Sequence, residues 1–134
     1  MNFQTNLKNI LIIKELIRLR KCRLKCWGDS MMPLYHPGEK IVISPVEGEI
    51  NLGDVVLYFS DEKGGYFLVL HRVHYINEDF VVLKGDNNYS FDIPILKNSI
   101  LGKTESKNCK QIDTVRAKNF FTDYKRERLD EKKK

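Results

Sequence analysis

The eleven residues Tyr66–Ile76 constrain the fold most, because this apolar, β-branched and aromatic run reads as the longest strand of the chain. Asp79-Phe80-Val81-Val82-Leu83 pairs with it across Asn77-Glu78, making a hairpin. Other short runs precede and follow it. Leu24–Trp27 is strand-like, Lys40-Ile41-Val42-Ile43 follows the turn signal Pro37-Gly38, and Val55–Phe59 follows Gly53-Asp54. Asp61 to Gly65 is a polar hairpin turn, and Ile100-Leu101-Gly102 closes the sheet. Strands at such short intervals, separated by Gly, Pro and Asn, predict a mainly β protein: a small barrel or folded sheet with a helix at each end.

The flanking helices are read from period and capping. Asn6 caps a helix over residues 6–20, and Leu7, Ile10, Leu11, Ile13, Ile17 and Leu24 recur near a helical period. Its plain role is packing on the domain; the alternative is a basic amphipathic anchor to anionic lipid or a partner helix. Ala117 to Lys134 reads as a charged helix ending in Lys132-Lys133-Lys134.

Charge sharpens that division. Residues 1–27 carry seven basic groups and Glu15, a net of 7 − 1 = +6; residues 28–102 carry 5 − 11 = −6; residues 103–134 carry 11 − 6 = +5. An acidic middle between basic ends argues against a domain-wide nucleic-acid surface. Cys22, Cys26 and Cys109 form no disulfide framework and lack the paired spacing of a zinc site, so free thiols and no metal or cofactor are expected. The run Ile10-Leu11-Ile12-Ile13 is far too short to span a membrane or to serve as a secretory h-region. A cytoplasmic protein, at most peripheral at a membrane surface, is the expectation.

Chemistry concentrates at four places. In Trp27-Gly28-Asp29-Ser30-Met31-Met32-Pro33, a glycine before and a proline after Ser30 force a sharp turn that holds a hydroxyl out of the interior. A serine hydroxyl is a poor nucleophile without a base. Strand alternation puts Phe67, Val69, His71, Val73 and Tyr75 on one face and Leu68, Leu70, Arg72, His74 and Ile76 on the other. His71 and His74 therefore cannot serve one site; His71, among apolar neighbours, can be held neutral and take a proton from a hydroxyl, although taken alone it reads as a satisfied core histidine, and His36, beside Pro37, reads as exposed. Lys84-Gly85-Asp86-Asn87-Asn88 follows the hairpin directly, so Asp86 or Asp92 is within reach to orient the imidazole.

These boxes, in order from Gly28-Asp29-Ser30-Met31-Met32-Pro33 through Gly53-Asp54-Val55-Val56, His71-Arg72-Val73 and Lys84–Asp92 to Ile100-Leu101-Gly102, resemble the signal peptidase superfamily over residues 24–103. The resemblance implies Ser30 as nucleophile. Bacterial members carry a lysine base before the arginine, whereas His71 stands there, as in the endoplasmic-reticulum and archaeal signal peptidases, whose aspartates fall on Asp86 and Asp92. It implies a serine endopeptidase that cleaves a leader or precursor peptide, with backbone amides, Ser30's own included, serving the oxyanion because Gly28 replaces a second hydroxyl residue. The implied layout is a helix over 1–23, the catalytic domain over 24–103 and a basic, partly helical extension over 104–134. Its partners would be a precursor substrate, an anionic membrane or an export or maturation partner, and no nucleic acid. Two alternatives stand beside it. One is a non-catalytic module that binds an extended peptide by strand addition. The other, less favoured, is a self-cleaving repressor-type peptidase, for which residues 1–23 are too short for a helix-turn-helix and no glycine follows Ala or Cys.

Overall fold

The computed structural model describes residues 2–61, 64–105 and 111–133. Cys109 and Lys134 lie outside them, as do two residues of the expected Asp61–Gly65 turn. In chain order the elements are β1 (Asn2–Thr5), α1 (Leu7–Arg18), β2 (Cys22–Lys25), β3 (Lys40–Ile43), β4 (Val55–Ser60), β5 (Tyr66–Ile76), β6 (Phe80–Lys84), β7 (Ile95–Leu96), a 3-10 turn (Lys97–Ser99), β8 (Ile100–Lys103) and α2 (Thr114–Lys133). The protein is mainly β, a curled half-barrel sheet flanked by an N-terminal and a C-terminal helix.

The long strand β5 organises the sheet, because both of its edges are used. β4 runs antiparallel along one edge, with Val55–Ser60 opposite Arg72–Phe67. The other edge is shared: β1 takes Tyr66–Val69, and β6 takes the far end, Arg72 opposite Lys84 to Ile76 opposite Val81. β8 adds to β4 and β7 to β6, while β2 and β3 form a separate two-stranded ribbon. The sheet and that ribbon meet where Ser44 and Lys103 exchange backbone hydrogen bonds. Two strands were not anticipated. β1 precedes the helix in a segment with no turn signal, and the two-residue β7 is too short for periodicity to register.

The alternation along β5 breaks at His74. Register passes from Val73 opposite Leu83 to Tyr75 opposite Val82, so His74 is the extra residue of a β-bulge. Past that point the faces exchange, which corrects the strict alternation expected to Ile76. Ile76 joins Val73 and Val81 in the cluster behind the sheet, and Tyr75 packs against Phe121 of α2, ring centroids 5.9 Å apart.

Each helix is fastened by few residues. Asn6 caps α1 by accepting from the Asn9 amide, and Ile10 and Ile17 bury it against Ile43, Leu57, Leu68 and Leu70. Leu7 and Leu11, assigned by period to the same stripe, are 50% and 57% exposed. α2 docks Ala117 and Phe121 against Val82 and Phe91.

Candidate active site

The Ser30 turn is built as its residues require. Gly28 sits at φ +71°, and no atom lies within 4 Å of where its Cβ would be, so backbone conformation rather than space calls for glycine. One residue past the serine, Met31 is fully buried in the core, anchoring the turn from below while Ser30 stays half-buried. The loop after β6 ties the turn down from the side. The Asn87 amide donates to the Ser30 carbonyl (2.8 Å), the Asn87 side chain donates to the Asp29 carbonyl (3.1 Å), and the Asp86 amide lies 3.5 Å from Met31 Sδ.

His71, carried by β5 and 4% exposed, faces this turn. Its Nε2 is 3.1 Å from Ser30 Oγ, and its Nδ1 is 2.5 Å from Asp92 Oδ2. With the Nδ1 proton donated to the carboxylate, Nε2 accepts from the serine hydroxyl, the tautomer a general base needs. The Asp92 amide donates to the Leu83 carbonyl (2.8 Å), which fixes the carboxylate at the end of the hairpin. A fourth residue, not foreseen, completes the chain: the Tyr58 hydroxyl, on β4, donates to the same Asp92 oxygen at 2.8 Å. Tyr58 lies inside an apolar run and reads as core from sequence alone; nothing in its local pattern marks the hydroxyl.

Of the two aspartates left open as partners of the imidazole, Asp92 takes the role. Asp86 forms a two-pronged ion pair with Arg72, Nε to Oδ1 and Nη2 to Oδ2 both 2.8 Å, and both side chains are buried. Arg72 points to the opposite face of β5 from His71, and both oxygens of Asp86 are turned to its guanidinium. The third arm of the guanidinium, Nη1, donates to the Gly53 carbonyl (2.9 Å). Arg72 therefore clamps the Gly53-Asp54 and Gly85-Asp86 boxes together beneath the site. Gly85 is required by close approach: a Cβ there would stand 2.7 Å from the Ser30 carbonyl oxygen and 3.0 Å from His71 Nε2.

The remaining polar candidates lie elsewhere. His36 is exposed. His74 is buried beside Phe91, accepts from the Asp113 amide (3.1 Å) and has its pKa lowered to about 4, by burial first and by the nearby Lys84 second. Cys22 and Cys26 are free thiols, both pushed up by burial. Among the described residues no group of three His, Cys, Asp or Glu side chains is placed to hold a metal. A cleft of about 580 Å³ between the β5–β6 hairpin and α2, lined by Phe80, Phe121 and Leu129, contains none of Ser30, His71 or Asp92.

The arrangement can perform acyl transfer: a hydroxyl on a sharp turn, an imidazole to take its proton, and a carboxylate to steady the cation that results. No helix among the described residues is long and apolar enough to cross a membrane. Comparison with protein-family models, with curated proteins and with solved structures gives no match to this chain.

Proposed function

We propose that the chain is a serine endopeptidase of the signal peptidase type that trims a leader or precursor peptide, acting in the cytoplasm or at a membrane surface. The observation that carries this reading is the continuous relay Ser30 Oγ, His71 and Asp92, at 3.1 Å and 2.5 Å, assembled from a turn, a strand and a loop far apart in sequence. A core histidine satisfied only for packing has no need of a half-exposed hydroxyl on one nitrogen and a carboxylate on the other.

In this reading Ser30 Oγ bonds to the substrate carbonyl carbon as its proton passes to His71 Nε2. Asp92 holds the imidazolium through Nδ1–H, and Tyr58 holds Asp92. Backbone amides at the turn take the developing oxyanion. The C–N bond then breaks, and the Nε2 proton goes to the departing amine. Water next attacks the acyl ester, giving a proton to Nε2, which returns it to Ser30 Oγ as the acid leaves. Asp86 takes no part in these transfers; it acts through Arg72 on the shape of the site.

Labelling with a fluorophosphonate, which acylation-competent serines attack, tests this directly. Wild-type protein is expected to label, Ser30→Ala is expected not to, and His71→Ala is expected to label far more slowly. Absence of labelling in folded wild-type protein, or labelling that persists in Ser30→Ala, would overturn the reading, the first outcome favouring a peptide-binding module on the same fold.

A further inference from the structure

Helix α1 carries more apolar surface than the core uses. Ile10 and Ile17 bury one side of it. Leu7, Leu11, Ile12, Leu16 and Leu19 are between 37% and 57% exposed. At 100° per residue Leu11, Ile12, Leu16 and Leu19 lie on the half turned away from Ile10 and Ile17, with Leu7 at its margin and Lys8 and Glu15 between them. The five aliphatic residues form two rows, Leu7–Leu11 and Ile12–Leu16–Leu19, and the aliphatic stems of Lys8 and Glu15 help line a shallow depression with Leu7, Leu11 and Ile12. A single exposed leucine is ordinary; four exposed aliphatic residues on a 12-residue helix, with a fifth at its C-cap, form a patch of the kind that marks an interaction surface.

The charge around the patch selects the occupant. Arg18 pairs with Glu15, and Arg20 pairs with Glu47. Among the described residues no acidic group pairs with Lys8, Lys14 or Lys21. At 100° per residue Lys8 stands between the two rows of exposed aliphatic side chains, Lys14 lies two turns along from Leu7, and Lys21 follows the helix just past its C-cap. A second copy of the chain docking α1 on α1 would set like charges against each other at an isologous contact. An anionic phospholipid surface accepts both features at once, aliphatic side chains in the acyl boundary and ammonium groups at the phosphates. At 12 residues the helix is about 18 Å long and would lie in the plane of the interface rather than cross it.

We propose that the outer face of α1 is a membrane-docking surface, with Leu7, Leu11, Ile12, Leu16 and Leu19 entering the interface of an anionic leaflet and Lys8, Lys14 and Lys21 holding its headgroups. This surface is independent of the catalytic reading, and its test uses no activity. The full chain is floated with vesicles of phosphatidylcholine containing one-third phosphatidylglycerol, and with vesicles of phosphatidylcholine alone. Binding is expected to the anionic vesicles, about tenfold or more weaker to the neutral ones, and weakened by added salt. The exposed pair Leu11→Asn/Ile12→Asn is expected to cut binding about tenfold or more with an unchanged circular dichroism spectrum and melting temperature. No binding to anionic vesicles at low salt, or equal binding by the double variant, would overturn the proposal. A concentration-dependent dimer in sedimentation velocity that the double variant abolishes would also overturn it, assigning the face to a second copy.

Discussion

At the scale of single residues, the site distinguishes two aspartates that look alike in sequence. Asp92→Asn keeps the shape but offers Nδ1–H a neutral acceptor and can turn the imidazole to the wrong tautomer, so peptidase activity is expected to fall by about 10⁴-fold with folding intact. Tyr58→Phe removes one donor from the Asp92 oxygen that also binds His71. Its expected effect is a drop of about tenfold in kcat with KM nearly unchanged, the mark of a group that positions the relay without touching substrate. A matched fall in both parameters' ratio through KM alone would count against that role. Ser30 was marked by its turn signal, whereas His71, among apolar neighbours on its strand, reads alone as a core histidine and stood out only through the ordered set of boxes around it. The choice between Asp86 and Asp92 was not legible, since it depends on which face of β5 each carboxylate meets across the hairpin. Tyr58 was invisible for the same reason: its neighbours Val56 and Leu57 on β4 are fully buried, and only the fold reveals where its hydroxyl ends.

At the scale of elements, the chemistry rests on how β5 is clamped. Arg72→Met leaves the Asp86 carboxylate buried without its guanidinium, and a loss of about 3–5 kcal/mol in urea unfolding is expected. The double change Arg72→Met/Asp86→Leu removes both charges and should recover part of that loss, which a double-mutant cycle would read out. Gly85→Ala forces the loop after β6 away from the Ser30 carbonyl and His71 Nε2. We expect about 1–3 kcal/mol of destabilisation and a rate loss of about 10²-fold from displacement of the serine, measured by probe labelling at a temperature where the variant is folded. The ends of β3, β4, β5, β6 and β8 were legible to within a residue or two, because β-branched runs bounded by Gly, Pro and Asn leave little choice. The bulge at His74 was not, since a bulge depends on how the partner strand sits and leaves no trace in the alternation of β5 itself.

At the scale of the whole molecule, stability should carry the imprint of a buried neutral imidazole. His74 binds its proton near pH 6.5 when unfolded but only near 4 when folded, so the unfolded chain takes up a proton first as pH falls. The contribution is complete above pH 6.5 and is lost between about 6.5 and 4. Besides burial, Lys84 and Arg72 disfavour the cation, while Asp86 and Asp113 favour it. Urea midpoints measured from pH 7 to pH 4 should fall more steeply for wild-type protein than for His74→Gln; equal slopes would contradict this. The mainly β architecture with its two helices was legible in spacing and turns alone. The exposure of Leu7, Leu11 and Leu16 on α1 was not, because period predicts a stripe but cannot tell a core from a surface that faces outward. The central claim remains that one serine is activated by one histidine. Peptide mass spectrometry of fluorophosphonate-treated protein tests it most directly, since the chain holds six serines. The account predicts an adduct on Ser30 alone, formed far more slowly in His71→Ala and Asp92→Asn. An adduct on any other serine, or an equal rate at Ser30 without His71, would contradict it.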